Sequence, residues 1–361
     1  MPESKKSSTA LDPHLWVTVL AGGVGSRFWP VSTPARPKQL LPLGGPRPLV
    51  VETVERARAL TGDDRIRILA REALARSIRS ALPSLGEDQC WVEPLARGTG
   101  AALTWAAWMA RRADPEAVLL SLHSDHVIQT TDAFVKGARA AAELARREGL
   151  LVAVGARPTR PETAYGYLQP ADPLPSAAGV AGFRVTSFRE KPDRTTADRL
   201  IAEGHLWNTG IFAWRADVFL NQMERHAPEI AGSMGHLDAG DPHAFFAEVD
   251  AVTVDKALLE RSDAVAGIVA PFSWDDVGSW EGLARGRGRR AGESVVVGTG
   301  HVFDGSDNIV YAEHGALVLW GLDDVVAVRT EGVTLVMRRD LAPDLKRLLE
   351  RLPEGVRQTQ S

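Results

Sequence analysis

A short apolar run, Trp16-Val-Thr-Val19, leads directly into Leu20-Ala-Gly-Gly-Val-Gly-Ser-Arg-Phe28, and this junction constrains the fold more than any other stretch of the chain. Branched apolar residues ahead of the glycines fit a buried strand that stops at Ala21. Gly22, Gly23 and Gly25 then permit positive φ and let backbone N–H groups approach a ligand closely. Arg27, and Lys38 within Pro37-Lys38-Gln39, bring two cations to the same neighbourhood. Amides and cations beyond a strand end describe a site for a polyanion such as a nucleoside triphosphate. Spacing excludes two commoner phosphate loops. The P-loop needs Gly-Lys-Ser/Thr, whereas Gly25 is followed by Ser26-Arg27, and the dinucleotide fingerprint needs a third glycine where Phe28 stands.

Composition narrows the partners. The chain has 361 residues with a formal net charge of −4, so no broad basic face for nucleic acid is implied, and a local basic site suits a small anionic substrate better. Cys90 is the single cysteine, which excludes a disulfide framework or thiolate metal cluster and fits a reducing cytoplasm. The longest apolar run, Ala101 to Ala110, is far short of the roughly 20 residues a membrane span needs and reads as a helix buried between sheet and helices. Residues 1–14 carry Lys5-Lys6 but no apolar core, so a disordered tail is expected there rather than an export signal.

From Trp16 to Val154, apolar runs alternate with segments of helical period. The runs are Trp16–Leu20, Ile66–Ala70, Ala117–Leu122 and Leu151–Val154. The helical segments are Leu49–Leu60, Glu72–Leu82, Thr99–Arg112 and Asp132–Arg147. This predicts an α/β domain with a mostly parallel sheet covered on both faces, its ligand beyond the carboxyl ends of the strands. Strands are expected next at Tyr165–Leu168, Gly182–Phe188 and Gly210–Trp214, with helices at Thr196–Glu203 and Ala216–Arg225. After Arg285-Gly-Arg-Gly-Arg-Arg290 the pattern changes to short β runs at Ser294–Val297, Ile309–Tyr311, Ala316–Leu319, Val325–Arg329 and Val333–Met337, then a closing helix at Leu341–Leu352. A small all-β domain is expected, of the β-helix kind.

Several residues could carry chemistry. Ser124-Asp125-His126 follows one strand, and Asp276 lies in Trp274-Asp275-Asp276-Val277-Gly278-Ser279-Trp280. Two carboxylates at the mouth of one sheet beside a triphosphate loop suit Mg²⁺, which takes few protein carboxylates and completes its shell with water and phosphate. Asp275 reads as a turn former. Tyr165-Gly166-Tyr167 offers bare backbone flanked by aromatics for a sugar ring, Glu190-Lys191-Pro192 offers charge after a strand, and Asn208 in Trp207-Asn208-Thr209-Gly210 offers an amide to a hydroxyl.

With these motifs in this order, from about Val17 to Leu283, the chain resembles the sugar-1-phosphate nucleotidyltransferases. The resemblance rests on Leu20 to Gln39, Glu93-Pro-Leu-Ala-Arg97-Gly-Thr99, Ser124-Asp125-His126, Pro158-Thr-Arg-Pro-Glu-Thr163 with Tyr165-Gly166-Tyr167, Glu190-Lys191-Pro192, Trp207-Asn208-Thr-Gly210 and Asp276-Val-Gly-Ser-Trp280. It implies a Rossmann-like transferase domain over 15–288, a β domain of left-handed β-helix type with its helix over 289–353, and a tail over 354–361. It implies transfer of GMP from GTP to α-D-mannose 1-phosphate, with glucose 1-phosphate transfer or a non-catalytic GDP-mannose sensor as rivals.

The roles it implies are specific. Ala21, Gly22, Gly23, Gly25, Ser26, Arg27 and Ser124 would hold the triphosphate, Lys38 would stabilise leaving pyrophosphate, and Glu93, Arg97 and Thr99 would lie near guanine. Asp125 and Asp276 would bind Mg²⁺. Tyr165, Gly166, Glu190 and Asn208 would fix the sugar, with Lys191 on its phosphate. Arg27, Lys38, Asp125, Lys191 and Asp276 form the expected catalytic set. The expected protein is a cytoplasmic homodimer that engages neither nucleic acid nor membrane. Gly98 stands where the family carries Asn, which implies looser base selection, and His123 stands where proline is usual.

Overall fold

The computed structural model describes residues 11–23 and 25–357. In chain order the first strands are β1 (Leu15–Ala21), β2 (Ile66–Ala70), β3 (Cys90–Val92), β4 (Val118–His123) and the short β5 (Val127–Gln129). They are followed by β6 (Leu151–Ala156), β7 (Gly166–Ala177), β8 (Val180–Glu190), β9 (Leu206–Arg215), β10 (Val265–Val269) and β11 (Ser273–Asp275). Nine of these build one sheet in the order β3-β2-β1-β4-β9-β6-β10-β8-β7, while β11 pairs antiparallel with β5. β1, β2, β3 and β4 run parallel, β6 and β10 run parallel to each other, and β9 is inserted antiparallel between β4 and β6. The sheet is therefore mixed and mostly parallel, as expected.

Alternation along β1 shows why it must lie inside. Val17 and Val19 face one core with helices Leu49–Arg58, Glu72–Ala81 and Thr131–Glu148, while Trp16 and Leu20 face another with helices Gly98–Ala113 and Ala216–His226. A strand buried on both faces reads as a continuous apolar run, which is what the sequence presents there. Helix Gly98–Ala113 buries alanines and both Trp105 and Trp108, so the apolar run at Ala101–Ala110 is a core helix.

The second domain contains β12 (Val295–Phe303), β13 (Ile309–Trp320), β14 (Val325–Arg329) and β15 (Thr334–Arg338). Consecutive strands β12, β13 and β14 pair in parallel through short connections, so the chain coils in rungs before β15 turns back antiparallel. The two runs expected at Ile309–Tyr311 and Ala316–Leu319 are one strand, β13, and the closing helix is split into a 3₁₀ segment Arg339–Asp344 and helix Leu345–Arg351. Of the expected tails, residues 1–10 and 358–361 lie outside the described residues. His14 is held by Asp114, with Nδ1 to Oδ2 at 3.0 Å, and Glu354–Arg357 form a helical turn.

A third core joins the domains behind the glycine loop. Trp280, fully buried, stands edge-on to Phe28 (centroids 5.1 Å) and to Tyr311 (5.6 Å), and Arg339 reaches from the β domain to Glu281 and to the Asp307 carbonyl oxygen (3.1 Å). Trp280→Ala removes the shared side chain of both domains and is expected to cost about 3–5 kcal/mol, as large-to-small changes of buried tryptophan do. A urea denaturation midpoint unchanged from wild type would show that the junction is not a common core.

Candidate active site

The carboxyl ends of β1 and β4 bring the glycine loop beside Asp125, and the Ser124 amide fastens the two ends by donating to the Leu20 carbonyl (3.0 Å). Ala21 closes β1, and Ser26 opens a 3₁₀ turn over Ser26–Phe28. Gly25 has φ +75°, and a Cβ on it would lie 2.5 Å from Lys38 Cβ, so the loop folds down onto the lysine. Gln39 braces the same loop, its Nε2 donating to the carbonyls of Gly22 (2.6 Å) and Gly23 (3.1 Å).

Lys38 is buried, at 5 % exposure, and spans the two sides of the site. Its Nζ donates to Asp125 Oδ2 (2.9 Å) and to the Asp276 carbonyl oxygen (2.6 Å). Burial alone would raise the Asp125 pKa, but the Lys38 ammonium, foremost among the groups facing it, holds it down to about 2. Burial likewise opposes ionisation of Asp276, yet Lys38 and the Tyr165 hydroxyl hold its pKa below the ordinary value. Tyr165 Oη donates to Asp276 Oδ1 (2.6 Å), and Gly278 N–H donates to the same oxygen (3.1 Å). The Arg27 guanidinium lies over Gly278, where a Cβ would stand 3.1 Å from its Nη2 and 2.6 Å from Asp276 Oδ2.

Each carboxylate thus spends one oxygen on protein donors, Asp125 Oδ2 on Lys38 and Asp276 Oδ1 on Tyr165, which leaves the other for a cation. Two ionised, hard-oxygen ligands fit a hard divalent cation. His123, Asp125 and His126 also present atoms within 4.8 Å of one another. The His123 and His126 rings stack at 4.6 Å, burial lowers both pKa values, and His126 Nδ1 already accepts from Trp274 Nε1 (3.1 Å). The imidazoles are therefore neutral walls of the site, and His126 meets the cation poorly through Nδ1.

Next to this centre lies a cavity of about 240 Å³ bounded by Tyr165, Gly166, Glu190, Lys191, Asn208 and Asp276, with Thr99 at its far side. The sugar-side residues expected from sequence therefore converge. Lys191 sits at φ +46° and its Nζ donates to Glu190 Oε1 (2.5 Å). Asp275 does act as a turn residue, accepting from Val277 N–H (2.8 Å), and it also pairs with Arg285 (3.0 Å).

The base-side residues are arranged differently. Glu93 and Arg97 do not line this cavity. The Arg97 guanidinium donates to the carbonyls of Phe246 (2.8 Å) and Ala247 (2.7 Å), and Thr99 Oγ1 accepts from Val254 N–H (3.0 Å). Burial raises the Glu93 carboxyl to about 7. Gly98 has φ +78°, and a Cβ on it would stand 2.6 Å from the Val252 carbonyl oxygen. Glycine there lets Val252 pair with the chain on both sides, to Arg97 O (3.2 Å) and Gly100 N (3.0 Å), so the backbone itself calls for glycine at this position.

The model of the nucleotidyl transferase family matches residues 17–288, three quarters of the chain and the whole sheet that carries this site. The chain belongs to that family. A second family model, the mannose-phosphate isomerase/GMP-like β-helix domain, matches residues 298–352, where the parallel rungs lie. A mannose-1-phosphate guanylyltransferase of Escherichia coli K12 is 32 % identical over 94 % of this chain and 73 % of its own length. One from Klebsiella pneumoniae is 30 % identical over 94 % and 74 %. Among solved structures, one described as mannose-1-phosphate geranyltransferase from Thermus thermophilus superposes with a TM-score of 0.86 at 30 % identity, covering 94 % of this chain and 99 % of that one.

In this nucleotidyl transferase the two loop glycines are separable. Gly25→Ala adds a collision with Lys38 to the strain of positive φ and is expected to lower transfer activity about a hundredfold or more, as displaced charge groups in a site commonly do. Gly23→Ala has φ +78° but nothing within 4 Å of a new Cβ, so backbone strain of roughly 1 kcal/mol is its main cost. Equal activity in the two variants, both folded, would remove the Gly25–Lys38 contact from the account.

Proposed function

We propose that the protein transfers GMP from GTP to α-D-mannose 1-phosphate, giving GDP-mannose and pyrophosphate. The observation that carries the reading is Lys38, locked between Asp125 and Asp276 at the seam between a glycine-loop anion site and a cavity edged by sugar-type hydrogen-bonding groups. The names of the relatives specify guanylyl transfer to mannose 1-phosphate, and the residues present suit it.

The glycine loop at Gly22, Gly23 and Gly25 with Ser26 and Arg27 receives the triphosphate, braced from behind by Gln39. Asp125 and Asp276 would hold Mg²⁺, which when bound neutralises phosphate charge and aligns the α-phosphate with its leaving group. Lys38 places a fixed positive charge beside both carboxylates, where negative charge gathers as the pyrophosphate departs. The nucleophile is an oxygen of an already anionic phosphate, so no general base is needed, and none of the neutral imidazoles is asked to be one. Gly166, Glu190 and Asn208 orient the sugar, and Lys191 faces its phosphate. Catalysis is then positioning plus charge neutralisation.

The test is pyrophosphate release with Mg²⁺ across a panel of nucleoside triphosphates and sugar 1-phosphates. GTP with mannose 1-phosphate should lead, and Asp125→Asn or Asp276→Asn should lower turnover by about two orders of magnitude while Asp275→Asn is milder. A different leading pair, or no release with any, overturns the reading.

We further infer a cytoplasmic homodimer. No helix of the described residues is long and apolar enough to cross a membrane. Phe303 and Trp320 stand side by side in register on β12 and β13, 56 % and 76 % exposed, at the edge of their sheet where a second copy can cover them. Light scattering should give a dimer mass for wild type and a monomer for Trp320→Glu. A monomeric wild type would contradict it.

A further inference from the structure

One half-buried acid of the cavity has no part in the chemistry above. Asp255 begins a single π-helical turn, Asp255–Leu259, and its side chain lines the cavity with Glu190 and Asn208. Single π turns occur often at functional sites. No pattern of the local sequence Thr253-Val-Asp-Lys256 announces such a role. Asn208 Nδ2 donates to Asp255 Oδ1 (2.8 Å), while Asn208 Oδ1 accepts from Gly210 N–H (3.1 Å), so the amide is locked with its donor toward the acid. At the other end of the turn Glu260 Oε1 accepts from the backbone N–H of Glu190 (3.1 Å), which ties the turn to the end of β8.

The chemistry of this wall is unusual. Burial, with the Glu190 carboxylate next in effect, raises the Asp255 pKa to about 7, and the charged groups facing it from β8 and its end are Glu190 and Lys191. His123 and His126, from the other side of the cavity, are neutral. Two neighbouring carboxyl groups offer several acceptors to a ligand that can donate. A phosphate would be repelled there. A sugar hydroxyl, itself donor and acceptor, matches.

We propose that Asp255 is a sugar-reading residue, hydrogen-bonded to a ring hydroxyl of the hexose opposite the one held by Glu190. The inference rests on the function proposed above and deepens it by assigning a further substrate contact. Asn208 is then a positioning residue toward Asp255 as well as a sugar contact.

Asp255→Asn preserves shape and the acceptor for Asn208. It should raise the KM for mannose 1-phosphate about tenfold or more, because with its oxygen held by Asn208 the new amide turns an NH2 donor to the hydroxyl where a carboxylate oxygen would accept. The KM for GTP should stay within about twofold. The deciding measurement uses 2-, 3-, 4- and 6-deoxymannose 1-phosphates. With the sugar that lacks the hydroxyl read by Asp255, wild type and variant should show nearly the same kcat/KM, whereas the penalty persists with the other three. A general structural defect would not depend on which hydroxyl is missing. Asp255→Ser provides the same comparison if circular dichroism shows the Asn variant misfolded. A penalty that persists undiminished with all four deoxy sugars, or no penalty with mannose 1-phosphate itself, overturns the role of Asp255 while wild-type turnover leaves the proposed function standing. A wild-type protein that turns over no sugar 1-phosphate overturns both.

Discussion

The contact between Lys38 and its two acidic neighbours organises the site. A buried ammonium is costly unless its donors are met, and here the partners come from distant parts of the chain, Asp125 after β4 and Asp276 after β11. The same lysine sits under Gly25, so the glycine loop proposed to receive phosphate, the carboxylates proposed to hold a cation and the charge between them form one packed unit. Breaking any part leaves another group buried without a partner. That interdependence explains why the sheet must bring the carboxyl ends of β1 and β4 together before any chemistry is available.

The neighbouring cavity, proposed above to take the sugar, is built on a different principle. Tyr165 just before β7, Glu190 at the end of β8, Asn208 on β9 and Asp255 on a helical turn are each fastened by a hydrogen bond to another part of the chain. Their polar atoms are prearranged rather than recruited by the ligand, which keeps the entropy of ordering out of the binding step. Two walls of opposite character, one rich in fixed charge and the other in hydroxyl-matching groups, meet at Asp276.

Much of this was legible in the chain. The boundaries of Ile66–Ala70 and Val325–Arg329 coincide with β2 and β14 because apolar runs flanked by turn residues leave little freedom. The parallel, doubly covered sheet followed from alternation of runs and helical periods. β3, β5 and β11 escaped notice because three residues carry no measurable period, and β10 because its run Val265–Val269 is interrupted by Gly267. Ile309–Tyr311 and Ala316–Leu319 looked like two strands because the polar Glu313-His314-Gly315 between them resembles a turn, yet the chain passes through it without leaving β13. Motif residues with a glycine or charge signature converge beyond the strand ends, whereas the contacts of Asp255 with Asn208 and of Gln39 with the glycine loop join residues remote in sequence and leave no local pattern. Arg97 shows the converse, since a conspicuous charge is engaged with the carbonyls of Phe246 and Ala247.

Gly98 has a consequence for transplanting parts between relatives. Its absent side chain and the Val252 carbonyl occupy the same space, and the strand-like pairing of 97–100 with 252 is the product of both. Restoring a bulkier residue there forces the 250–254 segment outward, and that segment carries Asp255 with it. The 97–100 turn and the cavity wall at Asp255 are thereby mechanically linked through one hydrogen atom. Exchange of specificity between members of the family should succeed in blocks that move 98 and 250–255 together, and fail one column at a time.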